Sequence, residues 1–120
     1  MKGLRTVIYR VTDVNMAKHW YAEAFQTEPY FDEPFYVGFN IQGYELALQP
    51  EEARIKDKAE SVVAYWGVDK IEEEYQRLLK LGASGNDAPQ NVGGEIIVAT
   101  VKDPFGNILG LIYNPEFKLP

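Results

Sequence analysis

The chain has 120 residues and a formal net charge of −6 (12 Lys plus Arg against 18 Asp plus Glu), with 46% hydrophobic residues and no cysteine. That length suits one domain with a real core, the absence of thiols excludes disulfides, zinc–thiolate sites and cysteine nucleophiles, and an acidic chain without a basic cluster excludes nucleic acid as a partner. No apolar run is long enough to cross a bilayer, and MKGLRTVIYR lacks the apolar stretch and cleavage site of a secretory signal, so no membrane association and a cytoplasmic location are expected.

Residues 4–11, LRTVIYRV, alternate as a strand, with Val7, Tyr9 and Val11 on one face and Thr6, Ile8 and Arg10 on the other. Asn15 is the expected N-cap of a helix running to Phe25, whose stripe is Ala17, Trp20, Tyr21, Ala24 and Phe25. Thr27 to Pro34 is turn-rich. FYVGFNI and YELALQ then read as a tight hairpin about Gln42 and Gly43. The polar run PEEARIKDKAE reads as a linker or an exposed helical turn.

The second half repeats the plan. SVVAYWGV reads as a strand, and Asp69 with Glu72 resembles a capping box. The helix that follows has the stripe Ile71, Tyr75, Leu78 and Leu79, acidic residues at its start, Arg77 and Lys80 near its end, and Gly82 to stop it. ASGNDAPQNVGG reads as a flexible run. EIIVATVK and ILGLIYN form a last hairpin around Asp103-Pro104-Phe105-Gly106-Asn107. The order is βα-ββ twice, with room for one more short strand in each half. The class is α+β, and the free sheet faces predict a concave surface for a small organic molecule.

RVTDVNMAKHWYAEAF, WGVDKIEEEYQRLLKLGA and VKDPFGNILGLIYNP, in that order, resemble the vicinal oxygen chelate superfamily, which includes glyoxalases, extradiol dioxygenases, and fosfomycin- and bleomycin-resistance proteins. The resemblance implies one domain over residues 1–120. It is built from two βαβββ modules, roughly 1–50 and 60–116 with a linker over 51–59, whose curved mixed sheets close around a cup, commonly in a homodimer. Metal-using members place His or Glu in that cup. Here the matching positions are Thr6, the neighbourhood of Ala47 with Glu45 and Gln49 on the same strand face, Val63, and Gly110. Thr6, Val63 and Gly110 are not the ligands a divalent ion in this cup needs, so neither a metal nor another cofactor is expected. The chain is closest in type to the bleomycin-resistance proteins, which sequester a cationic aromatic drug.

Strand phase and the family's inward face together give the expected cup lining: Thr6, Ile8, Arg10, Glu45, Ala47, Gln49, Val63, Tyr65, Gly110, Ile112 and Asn114. No catalytic set emerges. Ser61 and Ser84 have no histidine partner, and the lone His19 reads as a helix-surface residue. Glu45 reads either as a general base, its pKa raised by burial, or as the ion-pair partner of Arg10. Three functions follow: metal-free sequestration of an organic, cationic or aromatic ligand, as in antibiotic resistance; a lyase or dioxygenase using Glu45 or an unorthodox metal; or a dimer-forming member with a filled cup.

Overall fold

The computed structural model describes residues 1–53 and 62–117, which fall into two compact units, 1–56 and 57–120. The first unit runs β1 (Thr6–Val11), α1 (Val14–Phe25), β2 (Phe31–Glu33), β3 (Tyr36–Ile41) and β4 (Tyr44–Pro50). The second runs β5 (Tyr65–Gly67), α2 (Ile71–Lys80), β6 (Ser84–Gly93), β7 (Ile96–Lys102) and β8 (Ile108–Tyr113). The sheet orders are β1-β4-β3-β2 and β5-β8-β7-β6. In each sheet the first strand pairs with the last in parallel, and the other pairs are antiparallel. The duplication expected from the sequence is therefore a duplication of topology, with one βαβββ module in each unit.

In the first unit α1 covers one sheet face, because β1, β3 and β4 present their apolar alternates to it. Tyr9, Val11, Val37, Phe39, Leu46 and Leu48 are buried with Ala17, Tyr21 and Ala24 of the helix. Tyr21 anchors this core: its ring stacks on Tyr9 at 5.6 Å and on Phe25 at 6.0 Å, with Trp20 edge-on at 4.9 Å. The N-cap is Asp13 rather than Asn15; its Oδ1 accepts from the Met16 amide at 3.0 Å. Either residue is a good cap, and Asp13 takes the role because β1 ends at Val11 and the chain turns at once.

The β3–β4 hairpin turns through Gln42 (φ 54°) and Gly43 (φ 93°). Both central residues are left-handed, as the twist-matching two-residue turn requires, and the Asn40 side chain accepts from the Gly43 amide at 2.8 Å. That turn fixes the register outward from Ile41 opposite Tyr44.

Three expectations for the second unit are corrected. The strand expected over SVVAYWGV is confined to Tyr65–Gly67; Val62 to Ala64 are outside it and Ser61 is outside the described residues. The helix is capped at Lys70, without a side-chain bond, so Asp69 and Glu72 make no capping box. The run read as flexible is the ten-residue edge strand β6. Its ladder to β7 is broken by register shifts between Gly85 and Asp87, Asp87 and Gln90, and Asn91 and Gly93, which accommodate residues that alone favour turns. The linker expected over 51–59 lies, from residue 54 onward, outside the described residues.

The rest of this unit follows the sequence. Ile71, Tyr75 and Leu78 are buried against Ala99, Val101, Leu109 and Leu111. α2 stops in a paired C-terminal motif: Gly82 (φ 110°) donates to the Leu79 carbonyl at 3.1 Å and Ala83 to that of Leu78 at 3.0 Å. The β7–β8 turn is held by buried Asp103, whose Oδ1 accepts from the amides of Phe105 and Asn107, both at 2.8 Å.

Candidate functional site

Strand pairing assigns the open face of the first sheet, the side away from α1. Residues opposite one another in a ladder share a face, so three rows run across it. One row is Thr6, Glu45 and Asn40; the next is Ile8, Ala47, Gly38 and Phe31; the third is Arg10, Gln49, Tyr36 and Glu33. The middle row is small at its centre, and long side chains converge there.

Glu45 is the focus. Its Oε1 accepts from the Thr6 hydroxyl at 2.8 Å and from the Tyr36 hydroxyl at 2.8 Å, and its Oε2 accepts from the Tyr30 hydroxyl. Tyr36 lies two rows from Glu45, so the two side chains meet only by leaning toward each other over the small middle row. Gly38 makes this possible: a Cβ there would lie 2.7 Å from Glu45 Oε2 and 3.0 Å from a Tyr30 ring carbon. Tyr30 precedes β2, and its amide donates to the Gly38 carbonyl at 2.9 Å, which lays the ring over this glycine.

The electrostatics follow from those bonds. Burial pushes the Glu45 carboxyl up, and the hydroxyls of Tyr30, Tyr36 and Thr6 together more than reverse this, leaving it below its ordinary value. The Tyr36 phenol is pushed up to about 12, first by burial and then by its bond to Glu45. Tyr30 is raised by its bond to the same carboxylate, then by burial. At neutral pH the cluster is one carboxylate and two intact phenols. This corrects the expectation of a raised, base-like Glu45. It also corrects the expected ion pair with Arg10: Thr6 is opposite Glu45 and Arg10 opposite Gln49, four residues or roughly 13 Å farther along the strand.

Aromatic surface surrounds the cluster. Tyr30, Phe31 and Phe35 are 64%, 41% and 63% exposed, and Ile8 is 45% exposed. Phe31 meets Phe35 edge-on at 6.3 Å and Tyr36 edge-on at 6.0 Å. On the helix side of the same unit, a groove of about 240 Å³ is lined by Val14, Asn15, Lys18, Asp32, Glu33, Pro34 and Val37 and crossed by the Lys18–Asp32 ion pair at 3.0 Å.

The residues expected to line a ligand site thus fall into two sets. Thr6, Ile8, Arg10, Glu45, Ala47 and Gln49 share the open face of the first sheet. In the second unit, Tyr65, Gly110 and Ile112 share a face, with Tyr65 opposite Gly110. Val63 precedes β5 and is partly exposed. Asn114 follows β8 and turns the chain, its Oδ1 accepting from the Glu116 amide at 3.0 Å. His19 is on the exposed side of α1, its Nδ1 bonded to the Asn15 carbonyl at 2.8 Å. Tyr30, Tyr36, Gly38 and Phe31 were absent from the expected set. For Gly38 the clue lay in the two-residue turn, whose register places it opposite Ala47, and Tyr36, two residues earlier on β3, shares its face.

Residues 3–111 match the family model of the Glyoxalase/Bleomycin resistance protein/Dioxygenase superfamily. The chain belongs to this superfamily. A comparison with the curated proteins finds no match. Among solved structures, a glyoxalase-related enzyme from Fulvimarina pelagi is similar at 17% identity, with TM-score 0.82 over 100% of this chain and 94% of that one. A superfamily member from Sphaerobacter thermophilus is similar at 19% identity, with TM-score 0.77 over 95% and 98%. The fosfomycin resistance protein FosX from Mesorhizobium loti is similar at 15% identity, with TM-score 0.76 over 97% and 95%. These likenesses support the fold.

The divalent ion used by enzymes of this superfamily does not fit the donors present. Among the described residues no three His, Cys, Asp or Glu side chains come together. Gly110 offers no ligand atom and leaves no room for one: a Cβ there would sit 2.7 Å from both the Ala64 carbonyl oxygen and a Tyr65 ring carbon. Glu45 faces hydroxyl protons on both oxygens. No helix among the described residues is long and apolar enough to cross a membrane.

Proposed function

We propose that this superfamily member is a binding protein that holds a small aromatic organic cation against Glu45 on the open face of its first sheet. The observation that carries the reading is an ionised carboxylate set among exposed aromatic rings. A carboxylate has about four lone-pair positions, and Glu45 uses three on Thr6, Tyr30 and Tyr36. Oε1 accepts two of these bonds and Oε2 one, from the exposed Tyr30, so Oε2 is the oxygen at which a ligand N–H enters. Tyr30, Phe31 and Phe35 offer flat apolar area and attraction for positive charge beside it.

Superfamily membership admits enzymes and resistance proteins alike, so the chemistry of the site has to discriminate. A carboxylate stabilised below its ordinary value is a weaker base than a free one, which disfavours proton abstraction by Glu45. The same stabilisation suits a counter-ion that stays charged. Sequestration without turnover, as in bleomycin resistance, is the function this supports best.

The test uses a probe pair of equal shape and different charge, naphthylmethylguanidinium and naphthylmethylurea. The guanidinium should bind more tightly by on the order of fivefold to tenfold, and Glu45→Gln should erase the difference. Equal binding of the two probes to the unmodified protein would refute the proposal.

A further inference from the structure

We infer that Tyr30 is a gate on Glu45: its hydroxyl donates to Oε2, and a cationic ligand takes that oxygen by displacing it. The inference rests on the binding reading above and adds a specificity-determining residue to it.

The asymmetry of the cluster carries the argument. Both bonds to Oε1 come from partly buried side chains on the sheet itself, Thr6 of β1 and Tyr36 of β3. The bond to Oε2 comes from Tyr30, which lies outside the strands and is 64% exposed. Beneath the Tyr30 ring is Gly38, so no side chain locks the ring from below. Among the described residues its side chain has one hydrogen-bond partner, Glu45. Its backbone, by contrast, is tied to Gly38 through the amide. A ring with a fixed backbone, an open outer side and a single bond swings by side-chain rotation alone, and Oε2 is the oxygen that rotation uncovers.

The exchange is selective for charge. A guanidinium or ammonium replaces the neutral phenol donor with a charged one, so both partners of the new bond are ionised and the swap is a gain, whereas a neutral amide or hydroxyl trades one neutral donor for another and gains nothing. The displaced ring is then free to lie against the ligand, next to Phe31.

The same probe pair tests the gate. Tyr30→Phe keeps the ring and removes the competing hydroxyl, so it should tighten naphthylmethylguanidinium by roughly fivefold while changing naphthylmethylurea less. Tyr36→Phe, which strips a hydroxyl from Oε1 instead, should give no such gain. If Tyr30→Phe leaves guanidinium binding unchanged or weakens it while the unmodified protein still prefers the cation, the gate is wrong and the binding reading stands. Equal tightening in Tyr36→Phe would also overturn the gate, because any vacant position on the carboxylate would then serve. If the unmodified protein has no preference for the cation, the binding reading fails, and the gate with it.

Discussion

Replacing Gly38 with alanine probes the packing that assembles the Glu45 cluster. The backbone there is ordinary strand, so alanine meets no conformational barrier, and leaving glycine should by itself stabilise the strand by about 0.5–1 kcal/mol. Against this, the new Cβ lies 2.7 Å from Glu45 Oε2 and 3.0 and 3.2 Å from two Tyr30 ring carbons. Overpacking costs typically about 1–3 kcal/mol. The neighbours here are ends of flexible side chains, so about 1.5–2 kcal/mol is the appropriate part of that range. The net expectation is a loss of about 1 kcal/mol, a fall in Tm of roughly 4 °C for a chain of this length. Gly67→Ala is the control, since a Cβ there meets nothing within 4 Å and should be neutral or slightly stabilising. Urea denaturation of both variants, repeated in a Glu45→Ala background, reads the effect; the Gly38→Ala loss should shrink once the carboxylate is gone. A Gly38→Ala protein as stable as Gly67→Ala would refute the claim that the cluster depends on this glycine.

The low Glu45 pKa sets a pH dependence. A carboxyl depressed on folding stabilises the protein above its unfolded pKa of about 4.3, and that contribution is lost as pH falls through the folded value. The stability gap between the protein and Glu45→Gln should therefore narrow below about pH 4 in denaturant melts; a gap independent of pH would contradict this. Tyr36 behaves in the opposite sense, since a phenol raised to about 12 favours folding below about pH 10 and loses that contribution as pH climbs through the folded value. Near-ultraviolet absorbance should accordingly contain a late phenol ionisation that Tyr36→Phe removes. Asp103→Ala should cost about 2 kcal/mol or more, because it strands the Phe105 and Asn107 amides in a turn where Asn107 is buried; a loss within experimental error in urea melts would show that the carboxylate is dispensable.

Much of this architecture was legible in the chain because local and tertiary preferences agree. α2 has its stripe, its acidic start and its glycine stop, and both long hairpins carry the turn residues that their geometry demands. β6 was not legible: Gly85, Asn86, Pro89, Asn91 and Gly93 favour turns, and only the bulged ladder to β7 makes them a strand. Thr6 and Glu45 could be placed on one face by alternation alone. Their being direct partners required the parallel β1–β4 register, which alternation does not fix, and the same missing register made Arg10 look like Glu45's neighbour. Tyr30 was beyond reach for a different reason. It lies before β2, and its approach to Glu45 depends on the path of the loop and on the empty space over Gly38. Strand phase contains neither.

The most direct test of the account is where a cation lands. Backbone amide NMR of the protein titrated with naphthylmethylguanidinium should move the resonances of Thr6, Tyr30, Phe31, Gly38 and Glu45, residues brought together by β1, the start of β2, β3 and β4. Changes confined to other residues, or none at saturating probe, would contradict the assignment of this face as the binding site.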